Sequence, residues 1–229
     1  MAYDLDEQEQ LDQMKAFWAK WGTLITGAVM VIALAFAGYY GYKYYQRSEA
    51  LKAAPLYEQL EKAALDVKAD PKNPQLVVDL AAKLTTSHAN TAYAQLGALL
   101  AAKVQAEAGK AKEAQTLLQW VMDKAQDPEY SHLARVRLAG ALIDDNKAEQ
   151  AVALMSTAAP KGFEALYADR KGDALAASGK TADAIAEYQK AWDAVIENGA
   201  LRPVIEQKMQ ALGASVVKPI KIDKTDKAG

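Results

Sequence analysis

"GDALAASGKTADAIAEYQKA", residues 172–191, is the stretch whose reading decides the fold. Its apolar and small residues recur at helical spacing on both sides of Gly179-Lys180, so it reads as two short helices joined by a tight turn. Glycine at 179 can take the left-handed conformation that ends a helix. Ala184 lets the second helix pack closely on the first, Tyr188 follows one turn later on the same face, and Ala191 closes the pattern. Two other stretches stack on this one: "AKVQAEAGKAKEAQTLLQWV" from Ala102 and "AGALIDDNKAEQAVALMSTA" from Ala139. They repeat the turn at Gly109-Lys110 and Asn146-Lys147, the small residue at Ala114 and Ala151, the larger one at Leu118 and Met155, and the closing one at Val121 and Ala158. A period of about 33 to 37 residues is that of arrays built from pairs of antiparallel helices.

Working outward, such an array needs protected ends, and the helices expected around Asn73–Thr86 and Pro203–Leu212 are placed to cap it. Asp70-Pro71 and Asn73-Pro74 break the chain before the first of these, with Asn73 as N-cap and Pro74 as first helical residue. The first copy departs from the others: Ala102 stands where the third has Gly172, and Gln105 where an apolar residue is expected. After Gly213 the chain is rich in Lys and Asp without periodicity, which predicts a flexible tail over 214–229.

Upstream lies "TLITGAVMVIALAFAGYYGY", residues 23–42, without a charged side chain. Between Lys20 and Lys43 the uncharged run is 22 residues, or ~33 Å of helix at ~1.5 Å per residue, enough to cross a hydrocarbon core. Trp18 and Trp21 flank one end; Tyr39, Tyr40, Tyr42, Tyr44 and Tyr45 crowd the other, as amphipathic rings do at lipid–water interfaces. A cleavable signal is the rival reading, and Ala35-Phe36-Ala37 offers a small-x-small site. Against it stands a preceding segment that is long and acidic (Asp4, Asp6, Glu7, Glu9, Asp12), where an export signal is short and positive. An uncleaved anchor is therefore expected. Leu11, Met14, Trp18 and Trp21 recur at helical spacing, read either as an amphipathic stretch along the interface or as the start of the span itself. Lys43, Arg47 and Lys52 against Lys15 and Lys20 lean toward a cytoplasmic C-terminal domain, a difference of one charge that carries little weight for a large translocated domain. The expected fold is all-α: a tail over 1–20, a transmembrane helix over 21–45, a helical solenoid over 46–213 and the tail over 214–229. Ser48 to Lys68, with Leu51, Ala54, Leu56, Leu60 and Leu65 among charges, continues the helix beyond the span.

Composition narrows the chemistry. Of 229 residues, 27 are Lys or Arg and 29 Asp or Glu, a formal net charge of -2 that provides no broad basic field for nucleic acid. Without cysteine there is no thiolate nucleophile, disulfide or Cys-ligated metal. The two histidines, His88 and His132, fall in different elements without metal-ligand spacing and read as surface or packing residues. Asp144-Asp145 reads as a solvated helix end, since adjacent helical residues diverge. No nucleophile elbow, phosphate loop or H-E-x-x-H occurs, so no enzyme and no cofactor is expected.

The repeat resembles the tetratricopeptide repeat, most closely in the third copy with Gly172, Leu175, Ala184, Tyr188 and Ala191. Such arrays hold partners on the surface lined by the first helix of each pair. On this register that groove comprises Leu96, Leu99, Lys103, Leu133, Val136, Leu166, Asp169 and Asp173. Asp169 and Asp173 would repel a terminal carboxylate, so an apolar segment or another protein's surface is the better ligand. Each leucine reads equally well as core between stacked helices.

The order of the pieces resembles a known family as a whole. An acidic N-terminus leads through "MKAFWAKWG" to one span, followed by "AYAQLGALLAAKVQ", "HLARVRLAGALI", "KGFEALYADRKGDALAASGK" and "IEQKMQALG". This layout is similar to the YfgM-like family, ancillary subunits of the bacterial Sec translocon. The resemblance implies a single-pass inner-membrane protein with a cytoplasmic N-terminus and a periplasmic repeat domain. It implies association with SecYEG and with a PpiD-type membrane-anchored chaperone, help in passing newly translocated proteins to periplasmic chaperones, and no catalytic residues. The alternative from the residues alone is a cytoplasm-facing adaptor that restrains a signalling or stress-response regulator.

Overall fold

The computed structural model describes residues 2–69, 74–196 and 199–217. The Asp70-Pro71 break, the Asn73 cap and residues 218–229 of the expected tail lie outside the described residues. Within them the chain is helical: α1 (Ala2–Ala69), α2 (Gln75–Ser87), α3 (Ala92–Glu107), α4 (Ala111–Lys124), α5 (Pro128–Asp144), α6 (Ala148–Met155), α7 (Glu164–Ala177), α8 (Thr181–Ala194) and α9 (Leu201–Ala211). Met1–Leu51 and Lys52–Gly229 form two separate units.

In the first unit the apolar run is helical throughout and its large side chains face outward, with Leu24 64%, Val31 68% and Leu34 67% exposed. A core helix would have buried them; a helix this long and apolar with so little of it covered is one that can cross a membrane.

In the second unit, helices pair in chain order: α3 with α4, α5 with α6, α7 with α8. Each pair turns on one left-handed residue, Gly109 (φ 73°), Asn146 (φ 59°) or Gly179 (φ 78°). Behind each turn the next N–H reaches back five residues: Lys110 to Gln105 O at 2.9 Å, Lys147 to Leu142 O at 2.8 Å, Lys180 to Leu175 O at 2.9 Å. This closure satisfies carbonyls that a helix end leaves free. Helix starts are fixed by side chains at two of the pairs, where Thr91 accepts from the Ala94 N–H and Asp127 from the Glu129 N–H ahead of Pro128. The segment of α1 from Ala53 to Ala63 joins α2 and α3 in one apolar cluster, and α9 closes the other end against α8 through Ile205 and Met209.

Close approach within each pair rests on small side chains. Ala114, Ala151 and Ala184 are fully buried, and the residue one turn on, Leu118, Met155 or Tyr188, is buried beside them. The partner position on the first helix scales inversely with that residue. Gly172 sits so close to the Tyr188 ring that a Cβ there would lie 2.6 Å from it, while Ala139 shares a cluster with Met155 and Ala102 with Leu118. Ala102 in place of glycine is thus matched to a smaller neighbour.

Two features differ from the sequence expectation. Helix α6 has 8 residues where α4 and α8 have 14, so Ala158 lies beyond its end and is exposed instead of closing the pair. Pro160 limits any continuation past this point, since proline disfavours helix in the residue before it, Ala159. Residues 214–217, expected in the flexible tail, lie along α8: Ala214 and Val216 pack on the terminal cluster and Val217 is bonded to Gln189.

Gly172→Ala should cost about 1–3 kcal/mol despite alanine's higher helix propensity, because the Tyr188 ring is held and cannot yield. The double variant Gly172→Ala/Tyr188→Leu, which recreates the Ala102–Leu118 match, should recover most of the loss in thermal melts. A single variant as stable as the parent would show that the size pairing is not a constraint.

Candidate interaction surface

Helices α3, α5 and α7 are the first members of the pairs, and their repeat register sorts the expected groove residues into three sets. Leu99, Val136 and Asp169 occupy one position and are all buried, with Leu99 and Val136 inside core clusters. They are packing residues and do not line an open groove, because their position faces the neighbouring helices. Leu96 and Leu133 are half-buried at the next position and Leu166 is exposed. At the third, Lys103 is exposed and Asp173 half-buried. The accessible stripe runs at i, i+4 and i+7, which brings in Leu100, Arg137 and Arg170 between the two open sets. The sequence reading took i, i+3 and i+7 and so missed them; two arginines at one repeat position were the available signal.

Charge on this face is largely settled internally. Lys208 of α9 places its Nζ 2.7 Å from Asp169 Oδ1 and 2.7 Å from Asp173 Oδ1. Asp173 also accepts from the Tyr188 hydroxyl at 2.8 Å and pairs with Arg170 at 3.2 Å. Burial pushes the Asp169 carboxyl above its ordinary value, the Lys208 hydrogen bond opposes this, and Asp173 adds repulsion. Burial and the Asp173 charge push the Tyr188 phenol up as well. The expected repulsion of an anionic ligand therefore falls away, since two cations already share the two carboxylates. On the outer side of the same pair, burial raises the Glu187 carboxyl but hydrogen bonds from Lys190 and Lys171, at 2.9 and 3.0 Å, more than offset it and hold it low.

The other singled-out residues have local roles. His132 Nδ1 lies 2.9 Å from the Tyr167 hydroxyl and its ring packs on Phe163. His88 ends α2, its carbonyl accepting from Thr91. Asp145 caps its turn, accepting from Lys147 and Gln115, which hold its carboxyl below the ordinary range. Among the described residues no three metal-ligating side chains converge. In the first unit Trp18, Trp21, Tyr39, Tyr40, Tyr42, Tyr44 and Tyr45 are all exposed, with Lys20 over the Trp21 ring at 5.7 Å and Lys43 over Tyr39 at 5.6 Å.

Antiparallel helix pairs stacked on recurring left-handed turns define the class of helical repeat proteins, and comparison with known proteins agrees. A family model described as "Tetratricopeptide repeat-like domain" matches residues 15–214. A protein of Neisseria gonorrhoeae is 28% identical over 93% of this chain and 100% of its own length. One of Escherichia coli is 24% identical over 90% of this chain and 94% of its own, and one of Haemophilus influenzae 22% identical over 83% and 91%. All three bear the name "Ancillary SecYEG translocon subunit". No solved structure matches the chain. The chain belongs to the tetratricopeptide repeat-like, YfgM-like family.

Lys208→Met should destabilise the repeat unit by about 3–5 kcal/mol in urea unfolding, because it strands a buried carboxylate. Asp169 is already pushed above its ordinary value with Lys208 in place, and without that lysine burial and Asp173 are opposed only by the Arg170 charge, so the folded state binds the proton still more readily than the unfolded chain. Stability of this variant should therefore rise as pH falls from 7 toward 5, the reverse of a salt-bridged carboxylate. Adding Asp169→Asn should restore most of the loss and flatten that pH dependence.

Proposed function

We propose that this chain is a non-catalytic, membrane-tethered scaffold that works at the Sec translocon and helps pass newly translocated proteins to periplasmic chaperones. What carries the reading is the extent of the family match, which takes in the apolar helix and the array together, in relatives named for the translocon. In this reading residues 1–20 lie in the cytoplasm, 21–45 span the inner membrane with Trp18, Trp21 and the five tyrosines at its interfaces, and 46–213, with 214–217 packed against them, form the periplasmic array. SecYEG and a PpiD-type chaperone are the partners. Leu96, Leu133, Leu166, Lys103 and Asp173, with Leu100, Arg137 and Arg170, form the partner face.

Tethering gives the mechanism its economy. A span beside the export pore raises the effective concentration of the array near emerging chains, so weak intrinsic binding suffices and clients are released again. The basic residues after the span, Lys43, Arg47 and Lys52, favour a second reading, the cytoplasm-facing adaptor.

Removing residues 2–45 should leave a folded helical unit that no longer copurifies with the translocon; retained copurification would assign the attachment to the array and not the span. Because the chain has no cysteine, Ala228→Cys gives a single thiol. It should react with a membrane-impermeant maleimide in intact spheroplasts, and protection until lysis would favour the adaptor.

A further inference from the structure

The residues after α9 display how a second-helix side chain of this array holds another stretch of main chain. Gly213 takes the same left-handed turn as the three pairs (φ 78°), with Ala214 N–H bonded back to Met209 O at 2.9 Å. Among the described residues no helix follows it. Ala214 and Val216 turn inward while Ser215 and Val217 are exposed, the two-residue period of an extended chain. Gln189 of α8 then clasps the backbone of Val217 from both sides: the Val217 N–H donates to Oε1 at 2.8 Å, and Nε2 donates to the Val217 carbonyl at 3.1 Å. Asp193, one turn on, steadies the amide by accepting from Nε2 at 2.9 Å.

Gln119 stands at the same repeat position of α4, one residue after Leu118 as Gln189 is one after Tyr188, and Asp123 again lies four residues on. Its Nε2 donates to both Asp123 oxygens at 2.9 Å. Among the described residues nothing donates to its Oε1. The corresponding residue of the middle pair is Ser156, just past the end of the short α6. There, between α4 and α6 and floored by α5, lies a cavity of about 790 Å³. Leu138, Leu142 and Leu154 form its apolar part, and Lys112 and Arg135 stand at it without any carboxylate among the lining residues. The other polar groups there are largely committed: Gln115 donates to Ala141 O and Asp145, and Arg135 to Leu154 O.

We propose that this cavity docks an extended segment of another polypeptide, neutral or acidic and with small apolar side chains at alternate positions, its main chain clasped by Gln119 as Val217 is by Gln189. Recognition of backbone by an amide is indifferent to most side chains, which suits a surface that meets many unfolded chains. The assignment names the client surface of the scaffold proposed above and rests on that reading, but its test needs no translocon.

The probe is an acetylated, fluorescein-labelled Gly-Ala-Ser-Val-Val peptide with an amidated end, titrated by anisotropy into the full chain in lipid nanodiscs. One peptide should bind per chain. Gln119→Ala should weaken it about tenfold, the worth of two hydrogen bonds. N-methylation of the final valine, which removes the N–H bond and leaves the carbonyl bond, should cost the parent chain about threefold and the variant nothing more. Ala153→Arg, which fills the cavity with Gln119 intact, should match the loss and guards against a Gln119 variant that melts early. Hydrogen exchange at Val217 should quicken in Gln189→Ala, and unchanged exchange would remove the precedent. Binding indifferent to Gln119→Ala, to Ala153→Arg or to N-methylation overturns the proposal, as does a concentration-dependent dimer that Gln119→Ala abolishes, since the cavity would then belong to a second copy.

Discussion

How closely two paired helices can approach is the constraint on which the repeat unit depends. Three alanines with no exposed surface, Ala114, Ala151 and Ala184, set that distance. Each bulky neighbour then has to be answered by the residue facing it: Tyr188 by Gly172, Met155 by Ala139, Leu118 by Ala102. Interiors packed like crystals leave no slack for a mismatch. Each pair alone exposes a long apolar side, so stability comes from stacking one pair on the next, from the α1–α2 cluster to the α8–α9 cluster.

Much of this was legible in the sequence because it is local. A Gly-Lys or Asn-Lys pair with alanine five residues after its first member specifies a left-handed turn and a close helix contact within one short window, and all three such windows fold that way. The apolar run before them was legible for the same reason, its length and end aromatics being properties of contiguous residues. What escaped reading was set by distant partners. Lys208 reaches Asp169 and Asp173 from another helix, and no spacing rule announces which carboxylates a lysine will neutralise. The face of the first helices was misjudged by one position, since i+3 and i+4 both lie near i on a helix and only the stacking neighbour decides which is covered. Asp169 therefore passed for a groove residue while being 5% exposed. The extent of α6 was overestimated, its pattern having been carried to Ala158 where the helix ends at Met155.

The two units differ in how they treat apolar surface. In the second, most leucines and valines are distributed one face at a time and pack into four clusters, with Leu65, Leu76, Leu166, Val204 and Val217 left exposed. In the first, they surround the helix and remain uncovered, a state that water does not tolerate but a bilayer does. The placement of function follows from this division: one unit decides where the molecule resides, and the other what it can hold.

The shortness of α6 has a geometric meaning. Along the first-helix side the array is continuous, since α5 touches α7 directly and the Arg170 guanidinium fills the space above Gly140. Along the second-helix side the wall between α4 and α8 is interrupted. The short α6 accordingly leaves a notch in the second-helix face while the first-helix face stays closed across α5 and α7, so the two faces of the array offer different shapes to whatever lies against them.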